Sequence, residues 1–232
     1  MKRVLPALLA LAMVALGCNS GGAAALALGP APWQDGGQAL YDVLDRQGTR
    51  LGSEEILFAK DGEAWVLTVA DKIPPLEQTS KVRIDAATLK PLGGDKTIRS
   101  QGTDVTIKTA YAGGKLQIDA VVNGENRSAN TAVPANALDN DQLLMTLRAA
   151  PFAEGYRARL VTVVPGNATK VNTTVTVKGK ETVQVPAGSF EAWRVELDFG
   201  QVKQSAWYQV EAPHEMVQYD NGATRLVLAS AR

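Results

Sequence analysis

The sequence predicts an all-β protein: a single antiparallel meander sheet curled into an open or half barrel, with one short helix as lid or edge cover. Three observations carry this. Stretches in which apolar and polar residues alternate recur about every ten residues, the spacing of a sandwich or barrel. Turn signals separate them, as at Asp61-Gly62, Pro74-Pro75 and Gly113-Gly114. One stretch breaks the pattern with helix formers, Gln142 to Ala149, between an acidic start and Pro151.

Taken in order, the chain opens on a leader. Met1-Lys2-Arg3 is a basic start, and Val4 to Leu16 is an apolar run of secretory length. It is shorter than the roughly 20 residues that cross a bilayer. Ala15-Leu16-Gly17-Cys18 then resembles the lipobox of bacterial lipoproteins, with Ala15 where that pattern has Leu. The resemblance implies that Cys18 becomes the lipidated first residue. A second reading uses Ala25-Leu26-Ala27 as an ordinary cleavage site, which would release a soluble chain without Cys18. Cys18 is the only cysteine, so no intrachain disulfide can form, and lipid attachment explains a lone thiol in an exported protein. The expected division is a signal peptide over 1–17, a lipidated and flexible Gly/Ala/Pro tether over 18–35, and one β-domain over 36–232. Asn19 is not the Asp that retains some lipoproteins at the inner membrane, which favours the outer membrane of a host that has one.

The β-domain begins with Ala39 to Leu44 and continues through Ile56 and Phe58 to the turn at Asp61-Gly62. Ala64 to Ala70 is apolar at both phases of the alternation, as in a strand covered on both sides. Segments around Val82, Ile98, Ile107 and Leu116 alternate cleanly. Asp139-Asn140-Asp141 can cap the helix, whose Leu143, Leu144, Met145 and Leu147 form a wide apolar face. That acidic triplet lacks the ligand spacing of a calcium loop. Strands resume at Tyr156 and run to Leu228.

The clearest stretch is Val171 to Tyr219. Val171, Thr173, Val175 and Val177 alternate with polar residues, and Pro186-Ala187-Gly188 turns the chain. Trp193, Val195, Leu197 and Phe199 then share a face, and Ala206, Tyr208 and Val210 resume after Gly200-Gln201. Gly179 to Phe190, Trp207-Tyr208 and Ala212-Pro213-His214-Glu215-Met216-Val217-Gln218-Tyr219 match the pattern G-x-E-x-V-x-x-P-A-G-x-F, W-Y, A-P-H-x-x-V-x-Y. On these residues, and on Arg83 to Pro91 and Leu147 to Phe152, the chain resembles the exported bacterial family known as domain of unknown function 3108. The resemblance implies a β-fold and an envelope compartment, and no catalytic residues.

Lys plus Arg and Asp plus Glu each total 24, and no basic run is present, so nucleic acid is not expected as a partner. His214 is the only histidine, which excludes a multi-histidine metal centre, and it reads as a turn residue. No nucleotide loop, nucleophile elbow or zinc-protease motif is present. No cofactor, metal or catalytic residue is therefore expected, and the chain is read as a non-enzyme. Trp65, Trp193, Trp207 and Tyr208 are the candidates for lining an apolar ligand cavity, with core packing as their alternative role. Three functions follow. The chain is expected to be an envelope lipoprotein whose half-barrel binds a lipid-like ligand or an envelope protein. The alternatives are a structural or assembly factor with a filled core, and a hydrolase using His214 or two carboxylates.

Overall fold

Two-residue reversals set the architecture. Asp61 pairs with Ala64, Ile73 with Leu76, Ala112 with Lys115, Val122 with Glu125 and Val185 with Gly188. At two of these turns, Gly113-Gly114 and Asn123-Gly124, both central residues have positive φ. That is the turn whose twist matches the flanking strands. Each such turn forces the next strand alongside the last, so a meander is the only short path.

The computed structural model describes residues 23–232. Its strands are β1 (Ala24–Ala25), β2 (Gln38–Leu44), β3 (Arg50–Asp61), β4 (Ala64–Ile73), β5 (Leu76–Asp85), β6 (Pro91–Ser100), β7 (Thr103–Ala112), β8 (Lys115–Val122), β9 (Glu125–Ala132) and β10 (Ala137–Asp139). After helix α1 (Asn140–Thr146) and a 3-10 turn, Leu147–Ala149, come β11 (Arg157–Val164), β12 (Thr169–Val185), β13 (Gly188–Asp198), β14 (Lys203–Gln209), β15 (Met216–Asp220) and β16 (Arg225–Ala231). They form one sheet in the order β1-β11-β12-β13-β14-β15-β16-β2-β3-β4-β5-β6-β7-β8-β9, with β10 also on β11. The sheet is unclosed. Near the gap, Lys170 of β12 donates to Thr131 Oγ1 and the Ala132 carbonyl of β9 at 3.0 and 2.9 Å.

The main core lies inside the curl, where Tyr41, Ile56, Leu67, Ile84, Leu160, Val195 and Tyr208 are buried. A smaller cluster packs Ile107, Leu116 and Ile118 of β7 and β8 against Ala137 and Val163. Because side chains alternate along β11, Leu160 serves the first core and Val163 the second.

Asp139 caps α1, its side chain accepting from the Asp141 N–H, as expected for Asp at that position. The helix does more than cover a rim. Gln142, Leu143, Met145, Thr146, Leu147 and Arg148 are all buried, so α1 and the turn after it fill the concave face from within.

The N-terminal stretch corrects the expected tether. Residues 23–35 are not free: β1 pairs with β11, Leu26 N–H donates to the Arg159 carbonyl at 3.0 Å, and Gly29 N–H to that of Ala149 at 2.8 Å. Trp33 is only 6% exposed. It stacks on Phe58 and meets Trp65 edge-on. Leu26, Leu28, Ala31 and Trp33 provide enough apolar surface to hold a segment whose Gly, Ala and Pro content reads as loose chain. Cys18 and the leader lie outside the described residues.

Candidate functional site

Three neighbouring strands grade from apolar to polar along their inner faces. On β4 the inward series is Trp65, Leu67, Val69, Asp71; its partners on β3 are Phe58, Ile56 and Glu54, and on β5 Ile84, Val82, Ser80 and Gln78. The apolar ends build the core, and the polar ends face a cavity of about 310 Å³ at the mouth of the barrel. Leu143, Leu144 and Met145 of α1 form a second wall. Phe199, Gln204, Tyr219, Asn221 and Leu226, from the turns and strands opposite, form a third.

Glu54 and Asp71 are directly opposite across β3 and β4, side by side on the cavity wall. Burial, then the charge of Asp71, hold the Glu54 carboxyl well above the usual carboxylate range. Burial likewise raises Asp71, and Gln78 donates to it at 3.0 Å. Two like charges facing each other across neighbouring strands disfavour each other's ionisation, so the pair takes up a proton more readily than a lone carboxylate does. Asp141, in the first turn of α1, is satisfied differently: Lys96 Nζ lies 3.0 Å away and Ser80 Oγ donates at 2.6 Å. Asp139, behind it, accepts from Tyr111 at 2.7 Å, and burial followed by the charge of Asp141 pushes it up to about 6.

At the other end of α1 a clasp gathers the recurrent residues of the sequence pattern. Arg148, 4% exposed, pairs with Glu215 at 2.8 Å and donates to the Pro213 carbonyl at 3.3 Å. Tyr41 O–H donates to the Met216 carbonyl at 2.8 Å. His214, at φ 54°, places Nδ1 2.9 Å from the Gln209 carbonyl and meets Phe152 edge-on at 5.4 Å. Phe152 also stacks on Tyr208, whose hydroxyl donates to the Leu144 carbonyl at 2.9 Å. The contacts of Leu144, Arg148 and Phe152 tie the helical segment and the chain after it to the β14–β15 corner.

None of the four aromatic candidates lines the mouth cavity. Trp65 packs in the core with Trp33. Trp193 is half-buried under the Lys180 ammonium, 4.8 Å from its ring. Trp207 is covered by Arg194 and donates its indole N–H to Glu181. Tyr208 belongs to the clasp. The structure instead brings together Glu54 and Asp71, which sequence reading passed over. Their signal was present: each is an acidic residue at the inward phase of a strand otherwise apolar there, two residues from Ile56 and Val69. Among the described residues no cluster of three or more His, Cys, Asp or Glu has the arrangement to hold a metal ion. No helix among them is long and apolar enough to cross a membrane.

Comparison with one solved structure, a β-barrel-like protein, supports the fold. A family model described as Protein of unknown function (DUF3108) matches residues 40–226. No curated protein matches. A β-barrel-like protein of domain of unknown function DUF1849 from Brucella abortus superposes with a TM-score of 0.54 at 11% identity, covering 84% of this chain and 96% of its own. A candidate exported protein with a YmcC-like fold from Bacteroides fragilis gives 0.34 at 14% identity, covering 89% and 100%. A candidate lipoprotein from Parabacteroides distasonis gives 0.32 at 11% identity, covering 90% and 99%.

Proposed function

The chain belongs to the family described as Protein of unknown function (DUF3108), and we propose that it is an exported, non-enzymatic binding protein that holds a small amphiphile in the mouth of its barrel. The cavity carries this reading. Its 310 Å³ is at the lower end of ligand-pocket sizes, and it joins apolar side chains of α1 to a polar wall on β3, β4 and β5. A purely structural protein with a filled core has no use for such a space. A hydrolase built on His214 is disfavoured: His214 does not line the cavity, and Ser80 gives its hydrogen bond to Asp141.

The anchor belongs to the same proposal. Processing at Cys18 leaves β1 and Leu26 in place, whereas cleavage after Ala27 would strip both from β11. The packing therefore supports a lipidated mature chain held at the cell envelope.

Native mass spectrometry of protein purified from its own membranes tests both parts. The expected spectrum shows acyl mass on Cys18 and a small non-covalent passenger. Val69→Trp, which fills the cavity from its wall, should lose the passenger while keeping the β-rich circular dichroism. An apo spectrum, together with no uptake of a neutral environment-sensitive dye, would overturn the binding role.

A further inference from the structure

We infer that the mouth cavity selects amphiphiles whose head group is a protonated amine, seated between the carboxyl groups of Glu54 and Asp71. The inference rests on the binding role proposed above and names its ligand class. No lysine, arginine or histidine lines the cavity. Asp141 is already matched by Lys96 and Ser80, and the Tyr219 hydroxyl is turned to Gln204 at 2.5 Å. The carboxyl pair is the exception. The Glu54 carboxyl receives no N–H or O–H bond from the described residues and faces Asp71 across the strand pair. A part-buried carboxyl that faces a second carboxyl and has no donor of its own is a poor arrangement for stability alone.

An ammonium group supplies what is missing. With one proton shared by the two facing carboxyl groups, the pair carries a single negative charge. When R–NH3⁺ enters, that proton leaves to solvent and both carboxylates accept N–H bonds. One cation enters and one proton departs, so the net charge of the site is unchanged while the hydrogen bonds become charge-assisted. The apolar tail then lies along Leu143, Leu144 and Phe199. At roughly 30 Å³ per water-sized group the cavity takes on the order of ten non-hydrogen atoms, a short chain and not a full phospholipid.

Isothermal titration with octylammonium, octanoate and octanol tests this. Octylammonium should bind at least tenfold more tightly than octanoate. At pH 7 its heat should vary with the ionisation enthalpy of the buffer, corresponding to about one proton released. Glu54→Gln combined with Asp71→Asn should abolish the head-group preference and the proton release, yet retain octanol. Equal affinity for octylammonium and octanoate, or a preference that survives the double substitution, would overturn the inference and leave the binding role standing. Failure of all three probes to bind would overturn both.

Discussion

Arg148 is a cation in the protein interior, and its neighbours show what it does there. It bridges Glu215 and the Pro213 carbonyl and lies over the Phe58 ring at 5.6 Å. Arg148→Ala would leave the Glu215 carboxylate without its partner, and such a loss costs about 3–5 kcal/mol. Urea unfolding should show it, and Arg148→Lys should recover only part, because an ammonium cannot reproduce the planar fork. Asp139 makes the opposite kind of prediction. Its folded-state pKa is raised to about 6, above its value in an unfolded chain. Its protonated form is therefore favoured by folding. The associated stability is fully present below pH 3.8, falls as pH rises, and is lost above pH 6, a change on the order of 2–3 kcal/mol. Glu54 and Asp71 are raised too and add to the same trend. Thermal unfolding followed from pH 4 to pH 7.5 should show declining stability, and Asp139→Asn should flatten part of that slope.

Strands differ in how openly their sequences announce them, and the difference is physical. β12 and β13 were legible because one face is buried and the other wet, so apolar residues fall at every second position. β9, Glu-Asn-Arg-Ser-Ala-Asn-Thr-Ala, carries almost no such signal, because it is an exposed edge strand fixed by the Asn123-Gly124 turn and its pairing with β8. β6 is fixed by space instead. A Cβ on Gly94 would stand 2.3 Å from the Lys81 carbonyl of β5, and likewise one on Gly52 of β3 would stand 2.0 Å from the Lys72 carbonyl of β4. These are backbone obstacles that cannot rotate away. Gly94→Ala should therefore destabilise the β5–β6 pair by about 1–3 kcal/mol. Amide exchange should rise first in Ser80 to Ile84, at the polar end of which the cavity wall begins. The cavity was hidden for a related reason. Glu54 and Asp71 lie on separate strands, and only the register of the β3–β4 hairpin makes them a pair.

At the level of the whole molecule, the barrel-like curl follows from a meander whose last strand, β16, returns to pair with β2. That much could be expected from strand spacing and tight turns. The role of the segment before β2 could not, because its small residues look like linker until Leu26, Leu28 and Trp33 find partners. The segment crosses the molecule's weak point. It adds β1 to the free edge of β11, bonds to the turn after α1 through Gly29, and sends the Trp33 N–H to the Met145 carbonyl at 3.2 Å. The helix that walls the cavity is thus held from the clasp on one side and from the N-terminal segment on the other. Two predictions separate these supports. Trp33→Ala should cost about 3–5 kcal/mol, as for a large aromatic removed from a core. A chain starting at Leu28 should melt several degrees below one starting at Asn19, since losing the Leu26 packing and the β1 pairing removes about 2 kcal/mol. Equal melting temperatures would make the first turn of the segment a passenger and restore cleavage after Ala27 as a workable route to the mature protein. A clear difference would mean that the same residues linking the domain to Cys18 also hold its sheet together, so that anchorage and folding share one stretch of chain.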